Sequence, residues 1–254
     1  MVMQAIRRSK NKMRVPLIIM VAILAFGLVG SFAIWSSPNL NLNNAQGKGE
    51  VDPQAMVNSL QTSIDQLEKD LAKNPQDFTT LKNLGEVRSQ QGGFYLQLND
   101  KDKSKEVFAK GLDNYLLALE HKPQELNNQG QADLMVAAAY CASNAEQENT
   151  AGPLYQKAVQ LAPQDFNARS NYVIYQAFYL RDIEGAKKEI TAYKGLLPEG
   201  DGRIAQADQL SGLIESLEQG SKTEGSAKST EKTDQAPAKD TTQGQDKGTG
   251  ETKK

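Results

Sequence analysis

The chain has 254 residues and a formal charge of −2, from 29 Lys and Arg against 31 Asp and Glu, and that balance is uneven along its length. Five of the basic residues (Arg7, Arg8, Lys10, Lys12, Arg14) come first, and no acidic residue appears before Glu50, so the remaining 24 basic residues face all 31 acids and leave −7. An acidic body without a clustered basic surface excludes nucleic acid as the main partner, and a single cysteine (Cys141) with a single histidine (His121) excludes a disulfide framework and a Cys- or His-based metal site.

Residues 1–14 read as a basic, cytoplasmic N-terminus. Val15 to Trp35 follow without a charge. As a helix these residues would span ~31 Å, the thickness of the bilayer hydrocarbon. Pro16 falls in the first turn, where its missing N–H costs nothing, and Trp35 sits at the interfacial level that indole rings favour. Positive charge before the span, and none for twelve residues after it, places the N-terminus in the cytoplasm and the rest of the chain outside. A cleaved signal peptide is the rival reading, with Ser31 and Ala33 as its small residues. The apolar run is too long for one, and bulky Phe32 and Ile34 flank the candidate bond.

Residues 36–50 are rich in Asn and Gly and read as a flexible tether. Val57, Leu60, Ile64, Leu67 and Leu71 then recur at steps of three and four, the apolar stripe of one amphipathic helix. Docking on the following helices is its expected use, with coiled-coil dimerisation as the alternative; the stripe covers only about two heptads.

From there the chain repeats itself. Pro75-Gln76-Asp77-Phe78 returns unchanged as Pro163-Gln164-Asp165-Phe166, and Pro123-Gln124-Glu125-Leu126 is a third, altered copy. In each copy the proline stops one helix, the acidic residue is placed to cap the next, and the large apolar residue opens its buried face. Ahead of the later prolines stand small, aromatic, then small residues: Gly111, Tyr115, Ala118; Ala151, Tyr155, Ala158; and, as a looser copy, Ala186, Ile190, Tyr193.

This spacing resembles the second helix of the tetratricopeptide repeat, a helical hairpin of 34 residues. Leu81, Leu84 and Gly85 fall where that family's first helix, helix A, has its aromatic, Leu and Gly, and Gly92 falls at its inter-helix turn. Asp70 stands where the family wants a small residue, which makes the helix before Pro75 a lone leading helix.

The distances between successive prolines are 48, 40 and 35, read from Pro75, Pro123, Pro163 and Pro198. The surplus over 34 is therefore 14, 6 and 1. In the first unit it adds about two turns to each helix. Leu84, Val87, Gln91, Phe94 or Tyr95, and Leu98 would continue one face, Phe108, Leu112, Tyr115 and Leu119 would answer it, and Asn99-Asp100 would form the tip. In the second unit the surplus lengthens helix A at its start, with Leu134, Ala137, Ala138 and Cys141 buried. Ile204, Ala207, Leu210, Ile214 and Leu217 form a last stripe that caps the stack. Residues 221–254 contain none of Val, Ile, Leu, Met, Phe, Tyr or Trp and are expected to stay unfolded.

The expected fold is all-α: a tetratricopeptide-like solenoid of antiparallel hairpins over residues 51–220, behind one N-terminal transmembrane helix and ahead of a disordered tail. The resemblance implies that the A helices line a groove for protein or peptide partners. The matching positions are Lys82, Asn83, Glu86 and Ser89 in the first unit and Asn171 and Ile174 in the third, with Asn83 and Asn171 placed to hold a ligand backbone. The family's paired-basic carboxylate clamp is not reproduced. Tyr172, Tyr175, Phe178 and Tyr179 read, at their helical spacing, as core and groove lining, with a ligand pocket as the alternative.

His121 reads as a polar helix end and Cys141 as a small buried side chain. No Gly-rich phosphate loop, HExxH or GxSxG motif is present, so neither catalysis nor a cofactor is expected. The functional expectation is a scaffold or adaptor on the outer side of a cell membrane that binds protein or peptide partners and assists envelope protein assembly or translocation, with a self-associating structural membrane protein as the alternative and an unrecognised enzyme as a third reading.

Overall fold

A computed structural model describes residues 52–229. Among these the elements are α1 (Pro53–Lys73), α2 (Phe78–Gln97), α3 (Lys101–Glu120), α4 (Asn128–Asn144), α5 (Glu148–Leu161), α6 (Phe166–Ile174) running into a π-helical turn (Tyr175–Tyr179), α7 (Ile183–Gly195) and α8 (Gly202–Ser229). Each helix packs antiparallel on the next, and α2, α4, α6 and α8 also touch in series, so alternate helices form a continuous row. The described residues contain no strand and no helix long and apolar enough to cross a membrane. The expected span at 15–35 lies outside them, as do the basic N-terminus and the tether.

Two of the three Pro-centred joints work as the sequence implies. Asp77 Oδ2 accepts from the Thr80 amide at 2.7 Å and Asp165 Oδ2 from the Ala168 amide at 2.8 Å, each satisfying an orphan donor of the first turn. The middle joint departs from this pattern. Glu125 is exposed and caps nothing; the cap is Asn127, which accepts from the Gly130 amide at 2.8 Å, and the helix starts at Asn128. A glutamate carboxyl sits one methylene too far out for this geometry, whereas asparagine has the preferred reach. The six-residue surplus is therefore split between a longer connection and a 17-residue α4, rather than extending the helix from Leu126.

The small residues act as close-approach points. A Cβ on Gly85 would lie 2.9 Å from the Tyr115 ring, and one on Gly111 would lie 3.3 Å from Cys141 Sγ and 3.4 Å from the Gly85 carbonyl oxygen. Helices α2, α3 and α4 thus converge where Gly85, Gly111 and Cys141 meet. Gly92 serves the same purpose and is not a turn. It lies inside α2, buried, and the true tip is at Asn99, in left-handed conformation (φ 58°), followed by Asp100, whose carboxylate accepts from the Lys103 amide at 3.2 Å. Both helices of this hairpin run to 20 residues, as the first surplus requires.

The third surplus, one residue, coincides with the π turn. There Leu180 N–H reaches back five residues to the Tyr175 carbonyl at 3.2 Å, the widened loop by which a helix takes up a single extra residue.

The leading and trailing helices are packed on the stack. Leu60 and Ile64 of α1 join Leu84 and Val87 of α2 in one cluster, with Leu67, Leu71 and Phe94 against it, so the stripe that could have served a coiled coil is covered within the chain. Gln91 of α2 ties α1 down, its amide donating to the Val57 carbonyl at 3.3 Å and to Gln61 Oε1 at 3.0 Å. At the other end Ala207 and Ile214 of α8 join Val173, Ala186, Ile190 and Tyr193, and Lys187–Glu218 and Lys194–Asp208 ion pairs hold α8 on α7. Residues 221–229, expected to stay unfolded, instead continue α8 to Ser229, since an existing helix gains one hydrogen bond for each residue added; the rest of the expected tail, 230–254, lies outside the described residues.

Candidate functional site

The row of A helices (α2, α4, α6) gives one shared face, and the residues expected to bind there occupy it unequally. Lys82 is exposed, Asn83 is half-buried and makes no hydrogen bond among the described residues, and Ile174 is half-buried. Glu86 is half-buried and engaged with a neighbour. Ser89 lies against Cys141 of α4, between the two helices. Asn171 is buried, and its amide nitrogen donates to the Asn167 carbonyl at 2.8 Å and to Asn167 Oδ1 at 2.9 Å. The third-unit asparagine therefore braces Asn167, which carries the open position one helical turn earlier.

Two residues absent from the sequence reading complete the face, Asp133 of α4 and Asn167 of α6. The protein around the Asp133 carboxyl raises its pKa above the ordinary aspartate value, chiefly by desolvation. Gln129 and Asn167, through hydrogen bonds, and Lys82, through its charge, pull it back down, while Asp165 opposes them. The Gln129 amide donates to Asp133 Oδ1 at 3.1 Å. A polar line thus runs from Lys82 across Asp133 to Asn167 and Asn171, one or two groups from each helix of the row. Neither Asp133 nor Asn167 sits at a position singled out in the first unit, where the corresponding face was read from α2 alone.

The line ends in an open hollow of about 520 Å³, bounded by Gln129, residues 162–165, Leu196 and Arg203. Its floor is rigid. Arg203 donates from Nη1 to the Gln164 carbonyl at 2.7 Å and grips Asp201 through Nε and Nη2 at 2.9 and 2.6 Å, holding the Asp201 carboxyl down at about 2. The Gln164 amide donates to the Leu196 carbonyl at 3.1 Å.

The tyrosines belong to the packing between units. Tyr155 and Tyr175 have ring centroids 5.1 Å apart, Tyr175 and Tyr179 5.8 Å, and Tyr155 and Tyr172 6.3 Å. Tyr175 is buried, and Tyr172 and Tyr179 are half-buried against the same cluster. Phe178 packs on the opposite side, against the α7–α8 core. Burial pushes the Cys141 thiol up to about 12, which removes it as a nucleophile at neutral pH. His121 is the C-cap of α3. Among the described residues no three His, Cys, Asp or Glu side chains are grouped to hold a metal ion.

Helical hairpins stacked in series, close approach at Gly85, Gly92 and Gly111, and a continuous row of first helices define an all-α helical-hairpin repeat, the architecture that the sequence resemblance implies. Among solved structures the chain is similar to that of YrrB, described as a TPR protein with an unusual peptide-binding site: 21% identity and a TM-score of 0.40, over 65% of this chain and 72% of that one. No protein-family model matches the sequence, and no curated protein does.

Proposed function

We propose that the chain is a membrane-anchored adaptor, held by the Val15–Trp35 segment with its repeat domain on the outer side of the membrane, that grips an extended segment of a partner protein along the A-helix face. The observation that carries the reading is the polar line from Lys82 through Asp133 to Asn167, ending in the hollow at Arg203. Side-chain amides spaced along rigid helices can pair with the backbone groups of an extended peptide, while the opposite charges of Lys82 and Asp133 favour a partner of mixed charge over a run of one sign.

A photo-crosslinking residue at Lys82 in the full-length chain, in its native membranes, is expected to capture one partner at near-stoichiometric yield. The same residue at exposed Asp113 on α3 is expected to capture none. Equal capture at both positions, or crosslinks only between copies of this chain, would overturn the reading.

A further inference from the structure

We infer that the tip of the first hairpin is a second, lipid-facing surface, which rests against the bilayer beside the point where the tether arrives. The inference rests on the anchored reading above and adds a contact that the reading does not require.

The geometry comes from three contacts. Gln91 of α2 bonds the Val57 carbonyl of α1, and the two helices are antiparallel, so the start of α1 at Asp52 and Pro53 lies level with Tyr95 and Leu96. On the other side, Ser104 donates to the Gly92 carbonyl at 2.9 Å and Lys105 pairs with Glu146, just past the end of α4. Residues 93–103 therefore protrude beyond the second hairpin, by about 7 Å at 1.5 Å per residue. A Cβ added at Gly93 would find nothing within 4 Å, as expected of a segment with open space beside it.

This protrusion carries Leu96 and Leu98, exposed at 45% and 36%. Between them and the protein body stands Tyr95, half-buried, with the Lys103 ammonium 5.6 Å from its ring centre. Leucines at the extremity and an amphipathic ring beside them are parts of an interfacial contact, while the Lys103 ammonium is held by Asp100 Oδ2 at 3.1 Å. Asp100 and Asp102 balance Lys101 and Lys103 at the tip, so insertion of the leucines, and not attraction to anionic lipid, supplies the binding.

The occupant follows from the chain itself. Sixteen residues separate Trp35 from Asp52. They reach at most roughly 54 Å, which bounds the distance between the tip end and the bilayer. Leu116, Leu117 and Leu196 are exposed to a similar degree at the far ends of α3 and α7, but the end that carries Leu96 and Leu98 is the one to which the tether leads, at high effective concentration.

The test uses the full-length chain in phosphatidylcholine vesicles spin-labelled high on the acyl chain, with an environment-sensitive dye on Gln97→Cys, between the two leucines. Buried Cys141 stays unlabelled. The dye is expected to be quenched about twofold or more; a dye on Glu125→Cys, in the loop at the opposite end of the hairpin, is not. Adding Leu96→Asp and Leu98→Asp, both exposed positions that leave the core intact, is expected to abolish quenching at 97 without moving the thermal midpoint. If the chain floats with the vesicles and quenching at 97 and 125 is the same, or survives the double substitution, the lipid-facing tip is wrong and the anchor stands. If the chain does not float with them, the anchored reading falls and this inference with it.

Discussion

The ring of Phe108 closes over the backbone of Gly92, where a Cβ would stand 2.8 Å from two of its carbons, while at Gly93, one residue on, a Cβ would meet nothing within 4 Å. Two adjacent glycines in the same helix should therefore respond in opposite directions to the same substitution. In a helix interior Gly→Ala gains about 0.5–1 kcal/mol from the unfolded chain's lost freedom. At Gly93 that gain should appear whole. At Gly92 the added methyl must displace a fully buried ring that already stands edge-on to Tyr140, with centroids 5.5 Å apart. Overpacking of this kind costs about 1–3 kcal/mol and outweighs the propensity gain. Urea denaturation of both variants checks the sign, and a stabilised Gly92→Ala would mean that α2 and α3 are not in close approach there.

The three Pro-centred joints offer a second contrast. Asp77→Ala and Asn127→Ala each remove a side-chain acceptor from a first-turn amide and should each cost about 1 kcal/mol. Glu125→Ala, at the position the repeat marks for a cap, should be nearly neutral because that side chain is exposed and its helix starts three residues later. Thermal unfolding of the three variants distinguishes a cap read from sequence alignment from a cap set by backbone geometry.

These cases show what the sequence could disclose. The hairpin joints at Pro75 and Pro163, the close approach at Gly85 and the extra length of the first unit are local: each depends on a proline, a glycine or a count between them, and each is found where the pattern puts it, whereas the middle joint takes its cap from Asn127 and Gly92 lies inside α2. The binding face is harder to read because it is assembled across units. Asp133 gains its neighbours only when α2 brings Lys82 and α6 brings Asn167 alongside, partners 51 and 34 positions away by their residue numbers. No local pattern encodes that adjacency. Asn171 illustrates the converse: its register matches Asn83, but a buried site and Asn167 at hydrogen-bonding distance turn it from a ligand contact into a brace. The extra residue of the third unit was visible as a number, yet its form, a π turn at Tyr175, depends on where the tyrosines find room.

The Arg169–Glu189 pair links α6 to α7 with side chains only 10% and 19% exposed. Arg169 also donates from Nε to the Pro163 carbonyl at 3.1 Å and lies over the Tyr193 ring, 6.0 Å from its centre. Replacing Glu189 with Ala leaves a guanidinium in a mostly closed site and should cost about 3 kcal/mol. Replacing both partners with apolar residues of similar volume, Arg169→Met with Glu189→Leu, should recover most of that loss, because desolvation of both charges is removed together. A double-mutant cycle in denaturant measures the coupling; a coupling near zero would place the pair in solvent rather than between the helices.

Alkaline pH should loosen the repeat domain before it affects the charged surface. Burial holds the Cys141 thiol up at about 12 from an ordinary 9.0, and the Tyr179 phenol at about 12 from 10.0, and the same cause raises Tyr115 and Tyr155 well above the ordinary phenol value. For each of these acids the folded state favours the neutral form. Their contribution to stability is therefore complete below the unfolded pKa and is lost as pH rises from about 9 toward 12. Thiol reagents should leave Cys141 untouched at pH 8 and label it only as the helices separate. Cys141→Ala should flatten the part of the pH–stability curve that begins near 9, while the tyrosine part, beginning near 10, persists. Denaturant midpoints measured in steps from pH 8 to pH 11 test both statements; a midpoint that does not fall over that range would mean that water reaches these groups in the folded chain, and that the crossing of α2, α3 and α4 is not closed.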